Sequence, residues 1–206
     1  MTTATQPLST LLREGTAAAH HDAEHSPFLL ALAQGRTTRA GVVGLLQRLL
    51  PVYEELEALV ASWTGDPDVG PLLVPGLERA PSLRADLAEL GALPSTSSPA
   101  AWAYAERIRA TGGSAPAYLA HHYTRYLGDL SGGQVVGQAV RRSLGLDLSF
   151  FRFPDLRGPV VKRDYRAQLD TIAWSAEQQE EAVAESALAF RLNQDLAAEL
   201  IAEVTA

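Results

Sequence analysis

At 206 residues, 47% of them hydrophobic, and with a formal charge of −7, the chain is long enough for one domain with a substantial core. The absence of cysteine excludes disulfides, thiolate metal centres and iron–sulfur clusters, and the acidic balance argues against nucleic acid or an anionic membrane as partner. No apolar run reaches the roughly 18 residues of a membrane span, and Met1–Pro7 lacks the basic and apolar regions of a secretory signal. The expectation is one domain over 1–206, monomeric, cytoplasmic and without membrane contact.

Helical periodicity recurs along the chain, and strand-type alternation is scarce. The spacing predicts a first helix from Ser9, as N-cap, to Ala33, with Gly35 just past its end. In a second helix Val42, Leu46, Leu49, Tyr53, Leu56, Val60 and Trp63 form one apolar stripe, and Pro51 should kink it near residues 47–51. Residues 64–76 read as a loop. Helices over Pro81–Leu90 and Ala100–Ala110 follow, and Gly112–Gly113 break the chain before a long segment from Ala115 to Leu144. An irregular stretch reaches Gly158, a sixth helix covers 159–173, and a capping-box pattern, Ser175 with Gln178, opens a last helix towards Val204. The prediction is an all-α, single-domain bundle of about seven to eight helices.

The long segment holds the least ordinary residues. Gly128, Gly132, Gly133 and Gly137 sit among good helix formers, and together they forfeit roughly 3–4 kcal/mol of helix propensity. Gly128 and Gly132 lie one turn apart on one face. Either a second helix packs closely there or a flat ligand approaches the backbone. Arg125 and Asp129, four apart, can pair along the helix, or Asp129 can hold a water over a ligand. Any transition metal must use histidine, tyrosine or carboxylate, since the sole methionine is Met1; the histidines are His20, His21 and His25, then His121 and His122. His20 follows three alanines, which leave room for a large ligand or simply favour helix. His21 and His25, four apart, form a competing two-histidine clip.

The run Tyr126-Leu127-Gly128-Asp129-Leu130-Ser131-Gly132-Gly133-Gln134 resembles the signature of the haem oxygenases. Thr16-Ala17-Ala18-Ala19-His20, with Ala23-Glu24-His25-Ser26, is similar to that family's proximal helix. Lys162-Arg163-Asp164-Tyr165-Arg166 resembles its propionate-contacting segment, and Ala189-Phe190-Arg191-Leu192-Asn193 its far wall. The resemblance runs in order from about residue 8 to residue 200. It implies a haem sandwiched between a proximal N-terminal helix and a kinked, Gly-rich distal one. His20 would hold the iron with Glu24 beside it. Gly128 and Gly132 would approach the porphyrin, with Arg125 and Gly133 nearby, and Asp129 would order the water that delivers protons to bound oxygen. Arg13, Lys162 and Arg166 would meet the propionates, and Tyr53, Tyr123, Phe190 and Asn193 would border the pocket. Ala17 departs from the family, many of whose members carry lysine there, so the basic rim is thinner.

The activity so implied is oxygen-dependent cleavage of haem to biliverdin, carbon monoxide and ferrous iron. No flavin or nicotinamide fingerprint is present, so an external donor such as a ferredoxin or a flavin-dependent reductase would supply the electrons. The alternatives are a haem carrier or store using the same pocket, and a helical protein holding a non-haem metal at His21 and His25 or a small organic substrate. His121 and His122 are expected to have no iron role.

Overall fold

The computed structural model describes residues 6–203; Met1–Thr5 and the expected helix end at Val204 lie outside them. Where the sequence predicts one helix from Ser9 to Ala33, the chain forms α1 (Leu8–Gly15), α2 (Ala17–Glu24) and α3 (Pro27–Ala33). Two local causes account for the breaks. At Thr16 (φ −105°, ψ 1°) the hydroxyl donates back to the Leu12 carbonyl at 2.6 Å, competing with the ladder. Pro27 then holds Ser26 extended (φ −62°, ψ 139°), because its ring clashes with a helical predecessor. Ser9 is not the cap. The helix opens after Pro7, and Ser9 instead donates its N–H and hydroxyl to the Asp170 carboxylate at 2.9 and 3.0 Å.

Gly35 (φ +71°) closes α3, with Gly35 N–H bonded to Leu32 O and Arg36 N–H to Ala31 O; that left-handed turn is the reason for a glycine here. Helix α4 (Arg39–Ala58) runs unbroken through Pro51, and the apolar stripe continues into α5 (Val60–Trp63). α6 (Ala80–Glu89) and α7 (Pro99–Ala110) come next, α7 capped by the Ser98 hydroxyl at 3.0 Å from Ala101 N. The glycine-rich segment is α8 (Ala115–Gly128), a π-helical turn over Asp129–Gly133, and α9 (Gln134–Leu144). α10 (Gly158–Leu169) ends four residues before its expected limit. α11 (Ala176–Ala198) starts with the Ser175–Gln178 capping box in place.

No β-strand is present among the described residues. The helices are more numerous than the sequence indicates because three of the expected ones are interrupted. The core lies where α4 packs on α6 and α7 and where α11 runs along α8, filled by Leu46, Leu49, Tyr53, Leu56, Tyr118 and Tyr126 among others. α11 also touches α1, α2 and α3, and α3 packs on α9. The N-terminal helices are thereby held alongside the π turn, and the space between them is the site.

Candidate functional site

A cavity of about 500 Å³ opens between α2 and the α8–α9 segment, with α3, α4, α10, α11 and the short turn Ser149–Phe151 completing its walls; ligand pockets commonly fall in this size range. His20, on α2, lines it. Its ring is half exposed, with Nδ1 3.5 Å from Glu24 Oε2, and it meets the edge of Phe190 at 5.3 Å. Gly128, Gly132 and Gly133 line the same cavity. A methyl group placed on Gly128 or Gly132 would touch nothing within 4 Å, so these two face open space. Gly137 is different: a Cβ there would fall 2.5 Å from Phe151 Cβ. Close packing therefore accounts for Gly137, and an open cradle for Gly128 and Gly132.

Behind the π turn sits a buried polar network. Tyr53 donates its hydroxyl to Asp129 Oδ2 and accepts from Arg125 Nε at 3.0 Å and Nη2 at 2.8 Å. Arg125 also reaches Asn193 Oδ1 at 2.7 Å, and its Nη2 lies 3.6 Å from Asp129 Oδ1. Arg125 and Asp129 thus do pair along the helix, with the Tyr53 oxygen between them. Burial pushes Asp129 above the usual carboxylate range, against the pull of Arg125 and the Tyr53 bond. Burial acts to lower Arg125, but the charges and hydrogen bonds of Tyr53, Asp129 and Tyr104 outweigh it and hold the guanidinium firmly charged.

The basic residues are placed unevenly. Arg166 and Tyr123 line the cavity, and burial raises the Tyr123 phenol while Arg166 and Arg13 draw it down. Lys162 stands just outside, donating to the Ser131 hydroxyl at 2.8 Å, and Ser131 itself lines the cavity. Arg13 is exposed and paired with Glu14 at 3.0 Å. Ala17 is exposed. Phe190 and Asn193 reach the cavity from α11.

The remaining histidines lie elsewhere. His21 and His25 stack on the exterior with centroids 4.1 Å apart, His25 Nδ1 facing the His21 carbonyl at 2.8 Å. Among the described residues no group of three or more His, Cys, Asp or Glu is placed to hold a metal. His121 is buried 2.8 Å from Glu185, which Arg107 grips with two nitrogens. Those bonds overcome burial and hold Glu185 down at about 2. His122 Nδ1 is 2.8 Å from the Tyr165 hydroxyl, and burial lowers it to about 3.

Sequence reasoning missed the apolar wall. Leu29, Leu32, Leu45, Leu49, Val136, Phe150 and Phe151 close one side of the cavity. Leu45 and Leu49 sit one turn apart on α4, a spacing that signals a shared face but not what the face meets. Tyr104 was also missed; it couples to Arg125 from α7, and burial raises it to about 12.

The family model for heme oxygenase matches residues 6–199. Heme oxygenase 1 of Rattus norvegicus is 36% identical over 97% of this chain and 73% of its own length. The heme oxygenase of the alga Porphyra purpurea is 34% identical over 94% of this chain and 86% of its own. The crystal structure of heme oxygenase-1 from the cyanobacterium Synechocystis, in complex with heme, superposes with a TM-score of 0.89 at 31% identity. That match covers 95% of this chain and 92% of the other. The cavity thus lies in a shared fold, between elements that the resemblance singles out, and the chain belongs to the haem oxygenase family.

Proposed function

We infer that this chain binds haem and opens its ring with molecular oxygen, yielding biliverdin, carbon monoxide and ferrous iron. The observation that carries this reading is one cavity lined both by a histidine, His20, and by peptide backbone that Gly128 and Gly132 leave bare. The residues fit the molecule. A flat macrocycle needs one face free of side chains, an imidazole for its iron, and a cation for its propionates; the cavity offers Gly128 and Gly132, His20 and Arg166 in turn.

Bound haem supplies the iron that takes up oxygen and the meso carbon that is attacked. The protein supplies position and protons. With Nδ1 turned to Glu24, His20 would hold the iron, and Glu24 would fix the orientation of its ring. Arg166 would meet the propionates with Tyr123 beside it, Lys162 would add charge from just outside the cavity, next to Ser131, and Arg13 would add it at longer range. Phe190 keeps the His20 ring on edge. Asn193 and Tyr53 lock Arg125, and Arg125 and Tyr53 together aim Asp129. Burial moves the Asp129 carboxyl towards the range in which it can both take up and return a proton through an ordered water. The bare backbone at Gly128 and Gly132 would let a flat ligand approach the π turn closely.

Electrons come from an external donor, a ferredoxin or a flavin-dependent reductase, and the enzyme acts as a single-domain cytoplasmic monomer. Haem titration followed by addition of reductant and oxygen tests the reading. A Soret band that then gives way to biliverdin absorbance is expected. A Soret band that persists would mark a carrier instead, and no Soret band at all would leave a non-haem ligand.

A further inference from the structure

A buried polar pair ties two walls of the cavity together and has no part in the chemistry above. His122 on α8 and Tyr165 on α10 are each 2% exposed. Their rings stack within 12° at 5.8 Å, and His122 Nδ1 lies 2.8 Å from the Tyr165 hydroxyl. Tyr126 meets His122 edge to face at 4.5 Å, and Tyr165 belongs to the apolar cluster of Leu12, Leu119, Leu127 and Leu169. Burying an imidazole and a phenol in such surroundings costs free energy that leucine and phenylalanine would not. The hydrogen bond between them offsets that cost and adds what apolar packing lacks, a fixed direction.

The residue that follows each member of the pair lines the cavity: Tyr123 after His122, and Arg166 after Tyr165. Helix α10 is seated twice. At its start Gly158 rests on the π turn, where a Cβ would fall 3.3 Å from the Leu130 carbonyl oxygen. At Tyr165, about 10 Å further along the axis, the bond to His122 holds it to α8. The bonds of Lys162 to Ser131 and of Asp170 to Ser9 are exposed, so water competes for the same groups.

A flat disc is gripped on its faces by bare backbone and an apolar wall, but neither resists rotation about the axis through its centre. Only an anchor at the rim does, and the reading above gives Arg166 that part. We propose that the His122–Tyr165 bond is a positioning device: by fixing α10 against α8 it sets where Arg166 stands, and so the in-plane rotation of the haem and the meso carbon presented to the glycine turn. The proposal rests on the haem reading. His122 and Tyr165 act through Arg166, since neither of them lines the cavity.

The test uses the full chain loaded with haem, its Soret band confirmed. Tyr165→Phe keeps the ring and removes the bond, His122→Phe removes it from the other side, and His122→Asn keeps an amide where Nδ1 stands. Proton magnetic resonance of the ferric cyanide complex reads the in-plane seating through the haem methyl signals. Chromatography of the products after turnover reads which meso carbon was opened. The native chain and His122→Asn are expected to share one pattern of methyl signals. Both phenylalanine variants should show signals which that pattern lacks, and a severalfold larger share of minor biliverdin isomers. Signals and isomers unchanged in both, even with a lowered melting temperature, would reduce the bond to a matter of stability and overturn the proposal. A change in His122→Asn as large as in His122→Phe would overturn it too. A native chain without a Soret band would overturn the haem reading and the positioning role with it.

Discussion

Gly128, Gly132 and Gly137 have the same chemical formula and nearly the same helical setting, yet the structure gives them different tasks. Gly137 lets α9 lie against Phe151, whereas Gly128 and Gly132 face the cavity with no protein atom within 4 Å of a Cβ placed there. The difference is unreadable in the sequence, because it depends on where the short 3-10 turn Ser149–Phe151 returns to the helix. It also makes opposite predictions. Gly128→Ala should raise the melting temperature of the haem-free protein by a few degrees, from about 1 kcal/mol of helix propensity, while weakening haem binding in a Soret titration. Gly137→Ala should lower the melting temperature, since Phe151 would have to move. At Asp129 the sequence shows an acid one turn from an arginine but not the Tyr53 hydroxyl between them. Asp129→Ala should leave haem affinity nearly unchanged and slow biliverdin formation about 10²-fold or more, the scale of a lost proton donor. Turnover at the original rate would remove Asp129 from the chemistry.

Element boundaries followed the sequence wherever a specific local bond enforces them. The Ser175 capping box, the glycine at the end of α3 and the Ala115–Leu144 limits are of this kind. Failure came where competing local preferences are weak. Helix former follows helix former from Ser9 to Ala33, and only the Thr16 hydroxyl and the Pro27 ring break the run. Those breaks matter, because they turn α2, with His20, towards the π turn. The π turn itself has no sequence signature beyond its glycines. The capping box gives a simple check of an element remote from the cavity. Ser175→Ala should cost about 1 kcal/mol, a drop of roughly 2–4 °C in melting temperature, with no change in the haem spectrum.

At the scale of the whole molecule, the all-α class and the pairing of the N-terminal histidine helix with the glycine-rich helix were legible. The apolar wall of the cavity and the buried polar pairs were not, since they join residues far apart in sequence. Those pairs govern the response to acid. His122 is held neutral by burial, at about 3 against an ordinary 6.5, so the unfolded chain binds its proton first. Stability from this group is complete above pH 6.5 and is lost, by up to about 1.4 kcal/mol per pH unit, as the pH falls towards 3. Glu185, held down at about 2 against an ordinary 4.5, adds a loss in the same direction below pH 4.5. Thermal melts between pH 7 and 4 should fall steadily, and His122→Gln should flatten the part between pH 6.5 and 4.5. An unchanged slope in that variant would place the acid sensitivity elsewhere.

Ring opening in this fold requires iron held by the His20 imidazole within reach of bare backbone. Resonance Raman spectra of the ferrous haem complex report the iron–imidazole stretch directly. That band is expected in the native chain, absent in His20→Ala, and restored when free imidazole is added to the variant. A band that survives His20→Ala unaltered would put the iron on another residue and contradict the assignment.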